Sequence, residues 1–252
     1  MENGAVDYTI NEGIANIRFW HPKSNSLPSS VLSKLAKTIT DLGNKEEVKL
    51  IILSSEGDRA FCAGASFDEL ISIENFEGGK EFFMGFARVI NAARKCPKLI
   101  IGRVQGKAVG GGVGMASACD YSMATKYASV KLSELAIGIG PFVVGPAVQR
   151  KIGLSAMSEL AINATEWRDA SWAREKGLYT EVYDDIESLD EGIKKLSDKL
   201  VNSNPEAMAK LKSIFWEDCD HWDELLENRA AMSGQLVLSE FTRNAIASFK
   251  AK

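Results

Sequence analysis

Histidine is almost absent from this chain, which holds His21 and His221 among its 252 residues and no others. The four cysteines form no Cys-x-x-Cys pair and have no metal-ligand spacing to either histidine. Imidazole and thiolate groups are the usual ligands of protein zinc and iron, so this scarcity excludes such a metal centre. We therefore predict a protein without a metal site.

Basic charge is also in short supply, with 30 Lys and Arg against 34 Asp and Glu and a net charge of −4. The acidic balance argues against nucleic acid or an anionic membrane as the main partner. No apolar run approaches the ~18–20 residues of a membrane span. The first residues lack a charged segment followed by an apolar one, so we expect no secretory signal, a cytoplasmic location and reduced, buried cysteines.

Strand and helix patterns alternate up to about residue 183, which predicts an α/β fold with largely parallel sheets and crossover helices. The predicted strands are Ala5–Ile10, Ile14–Phe19, Val48–Leu53, Leu99–Val104, Tyr121–Ala124 and Ser129–Leu132. The predicted helices are Ser29–Leu42, a short one capped by Ser66, Lys80–Arg94 and one ending near Asp120.

Helical spacing dominates the rest of the chain. It predicts helices at Ile186–Val201, Pro205–Phe215, His221–Met232 and Gln235–Lys250. We therefore divide the chain into a core, residues 1–185, and a helical C-terminal region, residues 186–252. The sequence has no low-complexity linker, so we expect this region to pack on the core or on another subunit.

The strongest local motif is Gly106–Gly114, which contains three consecutive glycines between a predicted strand and a predicted helix. Glycines allow backbone to approach another group closely, and the first amides of a helix are free to bind an anion. The spacing matches neither a dinucleotide fingerprint nor a Walker A loop. The alternative is a tight packing turn without a ligand.

A second segment of small residues, Phe61–Ser66, also follows a strand and leaves its backbone amides accessible. A simple loop is the alternative interpretation. Two such loops at strand ends together favour a shared site with two amide donors.

Glu134 is a single carboxylate heading a run that carries no other charge until Arg150. If it points inward, desolvation raises its pKa toward neutrality and makes it a proton shuttle. The alternative is a surface carboxylate that caps a turn.

Together these segments resemble the crotonase superfamily, also called the enoyl-CoA hydratase/isomerase family. The resemblance covers nearly the whole chain, from His21–Leu27 through the two loops to Ser133–Pro141. It implies a spiral of ββα turns followed by a C-terminal helical tail. It also implies an acyl-coenzyme A substrate, with no cofactor beyond the coenzyme A of the substrate itself, and homotrimers or hexamers built through the C-terminal helices.

The resemblance also implies roles for individual residues. The amides of Ala65 and Gly111 match the oxyanion hole that stabilises an enolate, and Glu134 matches a catalytic glutamate. The remaining positions implied for substrate binding are Lys23, Ser24, Ala63, Gly64, Ser66, Gly110, Gly114 and Pro141. Of these, Lys23, Ser24 and Ala63 correspond to the backbone that holds the adenine end of coenzyme A.

This sequence departs from the family at the second catalytic glutamate, where it has Gly114. Ser66 replaces the usual aspartate, and Phe142–Pro146 replaces a shorter segment with a glycine pair. The sequence is more similar to a branch resembling methylglutaconyl-CoA hydratases, although that branch keeps both glutamates.

One carboxylate suffices to move a proton between two carbons, so we favour double-bond isomerisation. Hydration stays open if Glu134 alone handles water or if another residue replaces the missing glutamate. A non-catalytic acyl-CoA-binding protein is the alternative from another class.

Overall fold

The computed structural model describes residues 4–250 of the chain, with the backbone alone at residues 249 and 250. The strands are β1 (Ala5–Asn11), β2 (Ile14–Trp20), β3 (Ser26–Leu27), β4 (Leu50–Ser55), β5 (Ala60–Cys62), β6 (Gly64–Ala65), β7 (Leu99–Val104), β8 (Lys107–Val109), β9 (Tyr121–Thr125), β10 (Val130–Lys131) and β11 (Glu181–Tyr183). The helices are α1 (Ser29–Gly43), α2 (Phe67–Ile71), α3 (Phe76–Lys95), α4 (Gly111–Ala118), α5 (Gly145–Ile162), α6 (Ala170–Glu175), α7 (Ile186–Leu200), α8 (Pro205–Phe215), α9 (Trp222–Leu236) and α10 (Glu240–Lys250). A 3₁₀ turn spans Glu134–Ile137.

The largest sheet has six strands in the order β1-β2-β4-β7-β9-β11. The β1–β2 hairpin is antiparallel and every other pair in it is parallel, which confirms the predicted arrangement. The central strand β4 is buried along almost its whole length, as its continuous apolar sequence predicts. It begins at Leu50 rather than Val48, because the Val48 amide closes a turn by donating to the Lys45 carbonyl.

A second sheet has three short parallel strands in the order β10-β8-β5, and β3 pairs with β6 beside it. The chain passes from the large to the small sheet in the repeats β4-β5-β6-α2 and β7-β8-α4, which form the predicted ββα spiral. The carboxyl ends of parallel strands meet at one edge of a sheet. Therefore β5, β8 and β10 deliver residues 63–66, 110–114 and 133–137 to the same place.

The C-terminal region packs on the core, as expected. Helix α7 covers the outer face of the large sheet, where Leu189 and Ile193 form an apolar cluster with Leu50, Ile52 and Ile101. Burial of such side chains contributes roughly 1.5–3 kcal/mol each, which holds α7 against the sheet.

The predicted helix break near Gln235 is wrong. Helix α9 continues to Leu236, and α10 begins at Glu240, where the Ser239 hydroxyl accepts a hydrogen bond from the Thr242 amide. Gly234 does not end a helix but brings α9 close to α3: a Cβ there would lie 2.5 Å from the Lys80 backbone nitrogen. Its small size serves helix packing.

All four cysteines are buried free thiols, as predicted, at Cys62, Cys96, Cys119 and Cys219. Among the helices of residues 4–250, none combines the length and apolar character needed to cross a membrane.

Candidate active site

A pocket of about 440 Å³ opens where the ends of β5, β8 and β10 meet. Seven of the residues predicted for the site line it: Ala63, Gly64, Ala65, Gly110, Gly111, Glu134 and Pro141. These residues come from three separate segments, and Ala65 and Glu134 are 69 positions apart in the sequence. The strand ends described above bring the segments together. The other predicted residues, Lys23, Ser24, Ser66 and Gly114, lie outside this lining.

Each glycine of the triplet has its own steric reason to lack a side chain. Gly110 has φ 52°, and a Cβ there would lie 2.8 Å from Glu134 Oε1. A Cβ on Gly111 would lie 2.2 Å from the ring of Phe86, and one on Gly112 would lie 2.4 Å from the Cys62 carbonyl oxygen. The packing-turn interpretation therefore describes Gly112, whereas Gly110 makes room for a carboxylate inside the pocket.

The Gly111 amide begins helix α4, so its N–H has no partner within the helix and lies at the positive end of the helix dipole. Gly64 approaches from the neighbouring loop with φ 93°, and a Cβ there would lie 3.9 Å from the Gly111 nitrogen. The next residue, Ala65, faces the same pocket. Backbone from two loops therefore borders one small volume.

Glu134 begins the 3₁₀ turn and directs its carboxylate into the pocket. Its Oε2 atom is buried and has no hydrogen-bond partner. Burial raises the pKa of this carboxyl from its ordinary 4.5 to about 7, and a hydrogen bond from its own backbone offsets part of the rise. The alternative of a surface carboxylate capping a turn is therefore wrong.

The turn that carries Glu134 is fixed at its far end. Gly138 closes it in a left-handed conformation with φ 83°. The Thr242 hydroxyl of α10 donates a 3.3 Å hydrogen bond to the Gly138 carbonyl oxygen. Helix α10 thus positions the segment that presents the carboxylate.

The rest of the pocket wall is mainly apolar, and sequence reasoning did not assign most of it to the site. Phe82, Phe83 and Phe86 come from α3, where their spacing predicted only a helix buried on one face. Other apolar lining residues are Leu70, Ile137, Ile139, Val143 and Val144. The signal in the sequence was three aromatic side chains within five residues, since ligand pockets are lined mainly by apolar and aromatic side chains.

Gly114, which was predicted as a substrate-binding residue, is not among the residues that line the pocket. It is buried in α4, and a Cβ there would lie 2.6 Å from Val144 Cγ1 and 3.5 Å from Ile90 Cδ1. Val144 itself lines the pocket. The space into which a longer side chain at position 114 would extend is therefore filled by valine.

Lys23 and Ser24 form a tight turn beside the pocket. Ser24 has φ 52°, and its carbonyl accepts a 3.2 Å hydrogen bond from the Ala63 amide. The Lys23 ammonium pairs with Asp68, and the Ser66 hydroxyl caps α2 by accepting from the Glu69 amide. These residues support the pocket loop from outside, and Ser66 fulfils its predicted role as a helix cap.

Comparison with known proteins agrees with this geometry. A sequence-family model described as enoyl-CoA hydratase/isomerase matches residues 9–251. A probable enoyl-CoA hydratase of Bacillus subtilis is 27% identical over 250 residues, which cover 98% of this chain and 96% of the relative. The mitochondrial methylglutaconyl-CoA hydratase of Homo sapiens is 31% identical over 192 residues, covering 75% of this chain and 56% of the relative.

The fold has close counterparts among solved structures. The crystal structure of an enoyl-CoA hydratase from Bacillus halodurans superposes with a TM-score of 0.89, covering 96% of this chain and 99% of that one. Its sequence identity is 20%, so this likeness concerns the fold alone.

Proposed function

Because the chain belongs to the enoyl-CoA hydratase/isomerase family, we propose that it acts on an acyl-CoA thioester through a stabilised enolate. The observation that carries this proposal is the buried, unpartnered Oε2 of Glu134, which faces the same pocket as Ala65 and the first amide of α4. A carboxyl with a pKa of about 7 exchanges protons readily near neutral pH.

In the proposed mechanism the thioester oxygen accepts hydrogen bonds from the amides of Ala65 and Gly111. Removing a proton from C2 moves negative charge onto that oxygen, where preorganised donors stabilise it. Each donor of this kind typically contributes a factor of ~100–1000 in rate. The apolar wall formed by Phe82, Phe83 and Phe86 excludes water and strengthens these interactions.

We favour double-bond isomerisation, with Glu134 as the single shuttle. The carboxylate takes a proton from C2 of a 3-enoyl thioester and returns it at C4, which moves the double bond from C3–C4 to C2–C3. No second carboxylate is needed. The contact between Val144 and Gly114 supports this choice, because valine fills the side-chain space at the position of the second glutamate.

Hydration of a 2-enoyl thioester is the second candidate, favoured by the names of the two relatives above. In that reaction Glu134 activates water, and the hydroxyl group of Ser133, which is also in the lining, is available to orient it. A non-catalytic binding protein is less consistent with a desolvated carboxylate, since an unpartnered buried acid costs stability and a binder gains nothing from it.

The test is incubation with a 2-enoyl-CoA and, separately, with a 3-enoyl-CoA ester in deuterated water. Absorbance of the conjugated thioester and product mass separate the outcomes. Isomerisation conserves mass apart from exchanged deuterium, whereas hydration adds one water. If the thioesters bind but the wild type forms neither product faster than Glu134→Gln does, the protein is non-catalytic.

We also propose self-association into a trimer or hexamer. The predicted apolar positions of the C-terminal region are Leu225, Leu226, Met232, Leu236, Val237, Leu238, Phe241, Ile246 and Phe249. Phe241 is 68% exposed and Met232 is 50% exposed in a single chain, whereas Leu226, Val237 and Ile246 are buried. The side chain of Phe249 lies outside the described residues. Light scattering at micromolar concentration tests the proposal, and a monomer would contradict it.

A further inference from the structure

The ring of Phe86 packs directly against the residue that supplies the first amide of α4. If a Cβ is built on Gly111, the three heavy atoms nearest to it all belong to this ring, namely Cζ, Cε2 and Cε1. Phe86 is only 6% exposed, and both residues line the pocket. The tip of the ring therefore lies against the Cα of Gly111 at the wall of the candidate active site.

The backbone conformation of Gly111 does not itself require glycine. Gly64 and Gly110 have φ values of 93° and 52°, which strain any residue with a side chain, whereas Gly111 has no positive φ. Alanine is also favoured over glycine inside a helix. It is therefore the ring of Phe86, and not the conformation of the chain, that leaves no room for a side chain at position 111.

Helix α3 holds the ring in this place. One turn before Phe86, the side chain of Phe82 is buried in an apolar cluster that joins α3 to α2 and α10. One turn after it, Ile90 lies beside α4, where a Cβ on Gly114 would be 3.5 Å from Ile90 Cδ1. The position of the ring against Gly111 is therefore set by the packing of the whole helix.

The peptide between Gly110 and Gly111 has no side chain on either side, and glycine torsions are the least restricted in a chain. Hydrogen bonds restrain one end of it, since the Gly110 amide donates to the Lys131 carbonyl at 2.9 Å and the Gly110 carbonyl accepts from the Val113 amide at 3.0 Å. The contact from Phe86 restrains the other end. An apolar ring beside a free N–H also excludes water, which strengthens the attraction of that N–H for a negatively charged oxygen.

We propose that Phe86 is a positioning residue for the oxyanion donor. Its ring, packed on the Cα of Gly111, fixes the orientation of the Gly111 N–H and keeps water from it. This inference rests on the proposed function, in which that N–H donates to the thioester oxygen. A donor that is already oriented needs no reorganisation when negative charge develops on the oxygen, so the contact acts on the rate of the reaction.

The experiment is difference infrared spectroscopy of acetyl-CoA labelled with carbon-13 at the carbonyl, bound to the wild type and to Phe86→Leu. Hydrogen bonds from the site should lower the carbonyl stretching frequency in the wild type, and Phe86→Leu should return the band toward its position in free acetyl-CoA. Turnover of the enoyl-CoA ester that the wild type accepts should fall roughly tenfold to hundredfold at nearly unchanged KM. Phe86→Met, which keeps the length of the side chain without the rigid ring, should give an intermediate loss.

The matched control is Val89→Ala, because Val89 is a residue of α3 that is 1% exposed and is not among those that line the pocket. This substitution should lower stability in urea without moving the carbonyl band or changing turnover. A compensating pair tests the contact itself. Gly111→Ala should lower turnover by crowding the ring, and combining it with Phe86→Leu should restore part of that loss, because leucine leaves space for the added methyl group.

The carbonyl band and turnover decide between the outcomes. An unmoved band and wild-type turnover in folded Phe86→Leu would overturn this inference and leave the proposed function standing. Losses that simply multiply when Gly111→Ala and Phe86→Leu are combined would also overturn it, as would weaker acetyl-CoA binding with an unmoved band. If the wild type binds no thioester, the proposed function fails and this inference with it.

Discussion

Asp120 and Glu134 are both carboxylates removed from water, but their surroundings differ completely. Both oxygens of Asp120 have partners: Oδ2 accepts from the Ile100 amide at 2.8 Å and from Lys212 at 2.6 Å, and Oδ1 accepts from Trp216 at 2.9 Å. Glu134 has a buried oxygen with no partner. A buried carboxylate whose two oxygens both accept hydrogen bonds holds structural elements together, whereas a carboxylate with an unpartnered oxygen is free to exchange protons.

The largest expected effect comes from removing the exchangeable proton. Glu134→Gln keeps the shape of the side chain but abolishes proton transfer, so turnover should fall by a factor of roughly 100–10,000. Acetyl-CoA affinity should change little. Steady-state kinetics and calorimetry on the same preparation check both parts. A variant with wild-type turnover would reduce Glu134 to a structural residue.

Asp120→Asn should show the opposite behaviour. It leaves the Lys212 ammonium buried, only 3% exposed, without a charged partner, which should lower the free energy of unfolding by about 3–5 kcal/mol. Urea denaturation measures this loss. The control is Asp41→Asn in the exposed Lys37–Asp41 pair, where less than about 1 kcal/mol is expected. Similar losses in the two variants would undermine the structural role of Asp120.

The pH dependence of stability should reveal the raised pKa of Glu134. Below its ordinary value of 4.5 the carboxyl is protonated in both the folded and the unfolded chain. Between 4.5 and about 7 the folded chain keeps a proton that the unfolded chain has released, so stability falls as pH rises and levels off above that window. The wild type should lose about 3 kcal/mol relative to Glu134→Gln across this range. Parallel stability curves for the two proteins would contradict a raised pKa.

A smaller effect concerns the position of the second glutamate. Gly114→Glu alone should destabilise the fold by about 1–3 kcal/mol, because its Cβ meets Val144 at 2.6 Å. Gly114→Glu combined with Val144→Ala should recover part of that loss and raise hydration relative to isomerisation. Val144→Ala alone is the control. An unchanged product ratio in a folded double variant would show that a second carboxylate at this position does not determine whether the protein catalyses hydration or isomerisation.

Local patterns predicted α1 and β4 well. The apolar spacing of α1, with Leu32, Leu35 and Ile39 on one face, and the continuous run of β4 each follow from a single stretch of sequence. Strands of two or three residues, such as β3, β6 and β10, carry too few side chains for any periodicity. Their pairing is set by tertiary contacts.

The sequence predicted the parts of the site in which a residue type has one distinctive use, such as glycine for close backbone approach and an isolated glutamate for proton transfer. The glycine triplet and the isolated Glu134 indicated backbone donors and a buried acid, and Gly110, Gly111 and Glu134 line the pocket. The filling of the space beside Gly114 was not predictable, because Val144 lies 30 positions further along the chain and meets it only in the folded protein.

The measurement that most directly tests the central claim is a titration of the Glu134 carboxyl itself. Carbon-13 NMR of glutamate-labelled protein, with the resonance assigned by its absence in Glu134→Gln, follows the carboxyl from pH 4 to pH 9. A midpoint at about 7 is the result that an unpartnered, desolvated carboxyl requires. A midpoint near the ordinary 4.5 would mean that Glu134 is solvated or paired in solution, and would remove the proposed proton shuttle.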